Sequence, residues 1–201
     1  MINAESDQQK LKKTQFWNRF QLIMILVVFT APILGAFVYK PSGFMNYGDI
    51  YNPARKVDNL ALVNRSNEEV GLDSFRRHWV LLVPAKGICE KKCQDNIIKI
   101  ERLRFMQNND MARIRSVFLH TQLEFNALRE LESKHTQVEI FQVALAHFDE
   151  WTKVLMIEGL EEQYLERFYI IDPVGNLMMS YPFNADPDFI KKDIKRLLKI
   201  G

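Results

Sequence analysis

Two cysteines stand four positions apart in the segment Cys89-Glu90-Lys91-Lys92-Cys93, and the chain contains no others. On a helix, positions i and i+4 share a face one turn apart. Two thiolates so placed can ligate one soft metal ion. A small adjustment of the first helical turn lets them close a disulfide instead. A helix start carries partial positive charge, and Lys86, Lys91 and Lys92 flank the pair. Both effects favour thiolate over thiol, against the single opposing acid Glu90. A purely stabilising cross-link is the plainer use of two cysteines, yet a loop this short gains little entropy from closure. A disulfide-stapled scaffold needs more cysteines, spread along the chain. The pair is therefore read as redox-active or metal-ligating, with Cys89 and Cys93 as catalytic residues in the first case and metal ligands in the second.

The elements that must position the pair follow from hydrophobic patterning. Trp79-Val-Leu-Leu-Val83 is a continuous apolar run, as expected for a strand buried on both faces, and Pro84 is expected to stop it. Ile97, Ile100, Leu103 and Met106 recur at three-residue steps and predict a helix over 89–108. Strands are expected at 114–119, 138–143, 168–171 and 177–181, the last two joined by the turn Asp172-Pro-Val-Gly-Asn176. Helices are expected at 122–134, 148–158 and 187–200. Short extended pieces at Leu60–Val63 and around Val70 precede the first long strand. Strands alternating with helices imply a mostly parallel sheet covered on both faces, and the closing hairpin adds antiparallel strands. The fold class is α/β, a three-layer thioredoxin-like arrangement with a mixed sheet. Cys89 then lies between the first long strand and its helix.

Of the four histidines, His120 and His147 follow the second and third long strands. In a parallel sheet those ends share an edge with Cys89. Either can serve as a third, nitrogen ligand, although a histidine at a solvent edge needs no such role. His135 ends a helix, where a cation is favoured anyway, and His78 opens a strand. Met178 and Met179 offer soft sulfur, but strand alternation sends them to opposite faces, and core packing suits the inward one. No Ser-His-Asp order, P-loop, H-E-x-x-H or Gly-rich dinucleotide motif is present. The formal net charge of +2 gives no electrostatic footprint for nucleic acid, and no nucleic-acid-binding motif appears.

Upstream of the domain, residues 20–39 (FQLIMILVVFTAPILGAFVY) carry no charge. At ~1.5 Å per residue they extend about 30 Å, the hydrocarbon thickness of a bilayer. Trp17 and Tyr39 stand where interfacial aromatics belong. The run is longer than the apolar core of a signal peptide, and no A-x-A cleavage site follows it. It is read as one N-terminal transmembrane helix. Lys10, Lys12, Lys13 and Arg19 precede it, whereas only Lys40 follows closely. The positive-inside rule keeps residues 1–19 in the cytoplasm and sends the remainder outside. Residues 40–57, with Pro41, Gly43, Gly48 and Pro53, read as a tether, and 58–201 as the thioredoxin-like domain. In a Gram-negative cell this is a single-pass inner-membrane protein with a periplasmic domain.

Several segments resemble the Sco/SenC proteins. They are Leu60-Ala-Leu-Val-Asn-Arg, Val70-Gly-Leu-Asp-Ser-Phe75, Trp79-Val-Leu-Leu-Val, the C-x-x-x-C of Cys89 and Cys93, and Tyr169-Ile-Ile-Asp-Pro-Val-Gly-Asn. The tail, Asn176-Leu-Met-Met-Ser-Tyr-Pro with Lys191-Lys-Asp-Ile-Lys-Arg-Leu-Leu, is similar to a group of proteobacterial membrane proteins associated with cytochrome c oxidase biogenesis. The resemblance covers about residues 58–200 by element order. It implies a membrane-anchored assembly factor that handles copper, or the thiol state of the oxidase copper site. Its partner would be an oxidase subunit or another copper or thiol assembly protein. It also implies a copper-ligating histidine shortly before the Tyr-Ile-Ile strand. The matching region, Glu161–Phe168, has none, and Tyr164 falls in that place. The alternatives are a thiol-disulfide reductase acting on exported proteins and a non-catalytic assembly scaffold.

Overall fold

The computed structural model describes residues 17, 19–31, 34, 46–57, 62–64, 66, 68–121, 123 and 125–200. The chain divides into two compact units, Met1–Met45 and Asn46–Gly201. In the first, residues 19–31 are helical and their apolar side chains are exposed, Leu22 and Phe29 among them. Among the described residues no helix is long and apolar enough to cross a membrane. Residues 32, 33 and 35–39 of the expected anchor, and most of the expected cytoplasmic segment, lie outside the described residues.

In the second unit the described strands form one eight-stranded sheet, in the order β1-β8-β7-β4-β5-β6-β2-β3. The strands are β1 (Asp49–Lys56), β2 (Leu62–Val63), β3 (Glu69–Val70), β4 (Trp79–Ala85), β5 (Ile114–His120), β6 (Val138–Gln142), β7 (Arg167–Ile171) and β8 (Asn176–Pro182). β4, β5 and β6 run parallel. β7, β8 and β1 add on antiparallel at one side, and β2 and β3 at the other. The helices are α1 (Lys91–Phe105), α2 (Phe125–Lys134), α3 (Leu145–Leu155) and α4 (Pro187–Ile200).

The strand period of two divides the central strands between two cores. On one face Trp79, Leu81 and Val83 of β4 meet Ile97, Ile100 and Leu103 of α1, Leu131 of α2, and Ile190, Ile194 and Leu198 of α4. On the other, Val80 and Leu82 meet Phe148, Trp151 and Leu155 of α3. Removing each such side chain from water contributes about 1.5–3 kcal/mol, which makes β4 the hinge of both layers. The result is the expected α/β sandwich with a mixed sheet.

Two local expectations need correction. Pro84 does not stop β4. The strand continues to Ala85, with Pro84 opposite Leu119 of β5. The ladder from β4 to β7 ends at Leu82, so the missing N–H of Pro84 falls beyond it. Residues 49–56, read as tether, form the edge strand β1 on β8. Asp49 pairs with Arg167, a guanidinium only 3% exposed. Tyr51 is buried and its hydroxyl donates to the Leu155 carbonyl. Burial pushes the Tyr51 phenol up to about 12. Just before the strand, Tyr47 stacks on Phe189 at 4.1 Å and donates its N–H to buried Asp193. Long-range partners of this kind fix a segment whose glycines and prolines suggest a loop.

Candidate functional site

The site begins where β4 ends. Residues 86–90 lead from Ala85 into α1, and Gly87 takes a φ of +74°. A Cβ there would have nothing within 4 Å, so the backbone angle, rather than crowding, selects glycine. The Gly87 N–H donates to Thr121 Oγ1 at 3.1 Å, and Gln94 Nε2 donates to the Cys89 carbonyl at 3.2 Å. The loop is thereby tied to the end of β5 on one side and to α1 on the other.

Cys89 and Cys93 form a disulfide, with their Cα atoms 5.3 Å apart. Cys89 precedes the helix and Glu90 is its N-cap residue, so only Cys93 lies within α1. The two sulfurs differ in setting. Cys89 is 6% exposed and belongs to the α1-side core, whereas Cys93 is partly exposed and packs against that core. The cap residue Glu90 makes no side-chain hydrogen bond. The first N–H groups of α1 therefore keep their partial positive charge next to the pair. The lysines divide. Lys91 and Lys92 are exposed beside the cysteines, with Lys92 3.4 Å from Glu166. Lys86 is turned toward the α3 side, 5.9 Å over the Phe148 ring. The three-lysine collar expected around the pair is thus two lysines.

His120, the last residue of β5, lies opposite Ala85 and is 3% exposed. Its ring stacks 6.0 Å from Phe118, which places it on the α1 side of the sheet, the side of Cys89. Its Nδ1 is buried with no hydrogen-bond partner among the described residues. Burial pushes the imidazole down to about 4, so the ring is neutral near pH 7. His147 belongs to α3, whose Phe148, Trp151 and Leu155 pack on the opposite face. It is half-exposed and lies 3.8 Å from Glu150. The fold thus brings one of the two histidines, His120, to the cysteine side. Tyr164, in the place of the family histidine, packs on the α3 face, and its carbonyl accepts the Tyr169 hydroxyl. Met179 is core, with its sulfur 3.9 Å from the Tyr181 hydroxyl. His135 is bound to Glu101 at 3.1 Å, and His78 Nδ1 lies 3.3 Å from the Arg76 carbonyl. No cluster of three or more His, Cys, Asp or Glu suited to a metal ion occurs among the described residues.

Two features escaped the sequence reading. One is the Thr121–Gln94 brace of the cysteine loop; its only trace in the sequence is a polar residue directly after His120. The other is an apolar groove of about 540 Å³ between α1 and α2, which begins at Gly87–Cys89 and runs past Ile98 and Leu131. Ile88, beside Cys89 and lining the groove, is 83% exposed. As it stands the site can accept two electrons from a dithiol. Once reduced, it presents two thiols and one neutral imidazole on the same side of the sheet.

Solved structures share this architecture. Arabidopsis thaliana ScoI with copper bound matches at 15% identity and a TM-score of 0.57, over 71% of this chain and 97% of its own. Yeast Sco1 with copper bound matches at 15% identity and a TM-score of 0.58, over 78% and 95%. BsSco, described with a disulfide switch as a member of the Sco family of cytochrome c oxidase assembly proteins, matches at 15% identity and a TM-score of 0.56, over 74% and 96%. Identities this low establish a Sco-like thioredoxin fold and nothing finer. No curated protein sequence matches the chain. A family model described as "Transmembrane-like, thioredoxin-like, C-terminal domain" matches residues 79–201, from the start of β4 through the cysteine pair to the end of the chain, and the protein belongs to that family.

Proposed function

We propose that this protein is a membrane-anchored assembly factor for cytochrome c oxidase that handles copper, the thiol state of the copper site, or both, through Cys89 and Cys93. The observation that carries the reading is a C-x-x-x-C disulfide at the β4–α1 junction of a Sco-like fold. Copper-bound structures of that fold support copper as the cargo, and BsSco's membership of a family of cytochrome c oxidase assembly proteins supports the partner class, an oxidase subunit or another copper or thiol assembly protein. The donor set fits a soft ion. Two thiolates, freed by reduction, would hold Cu(I), and His120, with its orphaned Nδ1, is the nitrogen best placed to join them. His147 is the weaker candidate because its helix lies on the other face. The uncharged run at 20–39 and the basic residues before it support a single-pass inner-membrane protein with its domain in the periplasm.

Cu(I) titration of the reduced protein, with both cysteines and then with each replaced by serine, tests the copper arm. Binding that needs both sulfurs sustains it, and binding unaffected by their loss ends it. The formed disulfide favours a second reading, a thiol-disulfide reductase acting on exported proteins. That reading takes over if the reduced protein binds no Cu(I) but reduces a partner disulfide. Failure of both activities leaves a non-catalytic scaffold.

A further inference from the structure

We infer that the exposed face of α4 lies on the surface of a bilayer that carries anionic lipid headgroups, with the aromatic pair of Tyr47 and Phe189 at the edge of that contact. The inference rests on the membrane-anchor reading of residues 20–39. It goes beyond that reading by naming the side of the domain that meets the lipid.

The apolar stripe of α4 is fully engaged, because Ile190, Ile194 and Leu198 are buried in the α1-side core. The opposite stripe is Lys192, Lys195, Arg196 and Lys199, all exposed and gathered on one side by the helical period. Nearby acids do not offset them. Asp186 and Asp188 stand at the helix start, where the helix dipole favours an acid. Asp193 is 1% exposed and turned inward, and the Tyr47 N–H and the Tyr181 hydroxyl donate to it at 2.8 Å each. Arg196 reaches Asp193 at 3.4 Å, whereas Lys195 and Lys199 form no ion pair among the described residues. A face that only has to stay hydrated serves with both signs interspersed. Cations alone along a helix face attract an anionic lipid surface.

Two further observations favour lipid over an acidic protein surface. Lys192 stands 5.2 Å over the ring of Phe189, which stacks on Tyr47 at 4.1 Å, and the rings stay 40% and 39% exposed. Aromatic rings beside cations suit the headgroup level of a bilayer. Tyr47 is also where the chain enters the domain, and only residues 40–45 separate the uncharged run at 20–39 from Asn46. The covalent path from a membrane anchor therefore enters the domain at α4. With its apolar stripe held in the core, α4 does not insert. The contact is one of charges with headgroups, and salt screens it.

The test uses the full chain in nanodiscs of phosphatidylcholine, with and without phosphatidylglycerol. Lysines are acetylated with an amine-reactive ester, and the rates are mapped by mass. Lys153, exposed on α3 across the sheet, is the internal reference. Lys192, Lys195 and Lys199 should react about fivefold or more slowly in the anionic discs than in the neutral ones. Lys153 should react alike in both. The difference should vanish in about 1 M salt, where the screening length is about 3 Å. In the double variant Lys195→Glu, Lys199→Glu, the protection of Lys192 should be lost; if that variant fails to fold, the salt series on the wild type decides. Equal rates of the three lysines in the two discs overturn the inference and leave the face to an acidic protein partner. Equal slowing of Lys153, or protection that survives salt, overturns it too. A chain that enters the discs with its lysines unprotected removes only this inference, whereas a chain that enters neither disc removes the anchor reading itself.

Discussion

The buried imidazole of His120 makes the stability of the domain depend on acid in a way that can be isolated. Its ordinary value of 6.5 falls to about 4 in the folded protein through loss of solvation. Above about pH 7.5 both folded and unfolded states carry a neutral ring, and the group contributes little pH dependence. As the pH falls from there toward 4, the unfolded chain binds a proton that the folded chain refuses, so stability falls with pH. At pH 4.5 the unfolded ring is almost fully protonated and the folded ring mostly neutral, which amounts to about 2–3 kcal/mol lost relative to pH 7.5. Replacing His120 by leucine removes the titration. The assay is urea unfolding of residues 46–201, disulfide intact, at the two pH values for wild type and His120→Leu. The carboxylates titrate in both proteins and cancel in the difference. The wild type should lose about 2–3 kcal/mol more than the variant between pH 7.5 and 4.5. Parallel losses would refute the account, and with it the claim that the ring is held neutral by burial.

Other consequences concern the edge strand and the topology. Gly48→Ala should destabilise the domain by about 1–3 kcal/mol in urea unfolding, because its Cβ would stand 2.6 Å from the Tyr181 ring and 2.9 Å from the Ser180 carbonyl oxygen. Asp49→Ala should cost about 1–3 kcal/mol, since it removes the carboxylate that pairs with the buried Arg167 guanidinium; an unchanged midpoint would show that the ion pair is idle. A chain starting at Asp58 should melt below one starting at Asn46, because it lacks β1 and the buried Tyr51; equal melting temperatures would return residues 49–56 to the status of a tether. A reporter active only outside the cytoplasm, fused after Gly201, should be active; silence there would overturn the proposed orientation.

Much of this protein was legible in its sequence because the deciding interactions are periodic and local. The run Trp79–Val83 alternates between two buried faces, and the three-residue steps of Ile97, Ile100 and Leu103 put one helical stripe on a core. Those patterns determine the strand-helix order and place Cys89 at a strand-helix junction. The spacing puts Cys89 within reach of Cys93 only because the chain turns into a helix between them, which holds their Cα atoms 5.3 Å apart; four extended residues would span about 13 Å. What tertiary structure decided are the relations that no local pattern encodes. Asp49 becomes part of a strand because Arg167, distant in sequence, is buried and needs a partner. Lys86, in the loop after β4, leaves the cysteines and lies 5.9 Å over the ring of Phe148, which belongs to the core on the α3 face. His120 closes β5 and His147 follows β6, yet one ring lies on the cysteine side and the other belongs to a helix on the far face. Strand parity and helix side, set by packing across the whole sheet, make that choice. The two cysteines are chemically identical in the sequence. Only the folded core buries one and leaves the other at the surface.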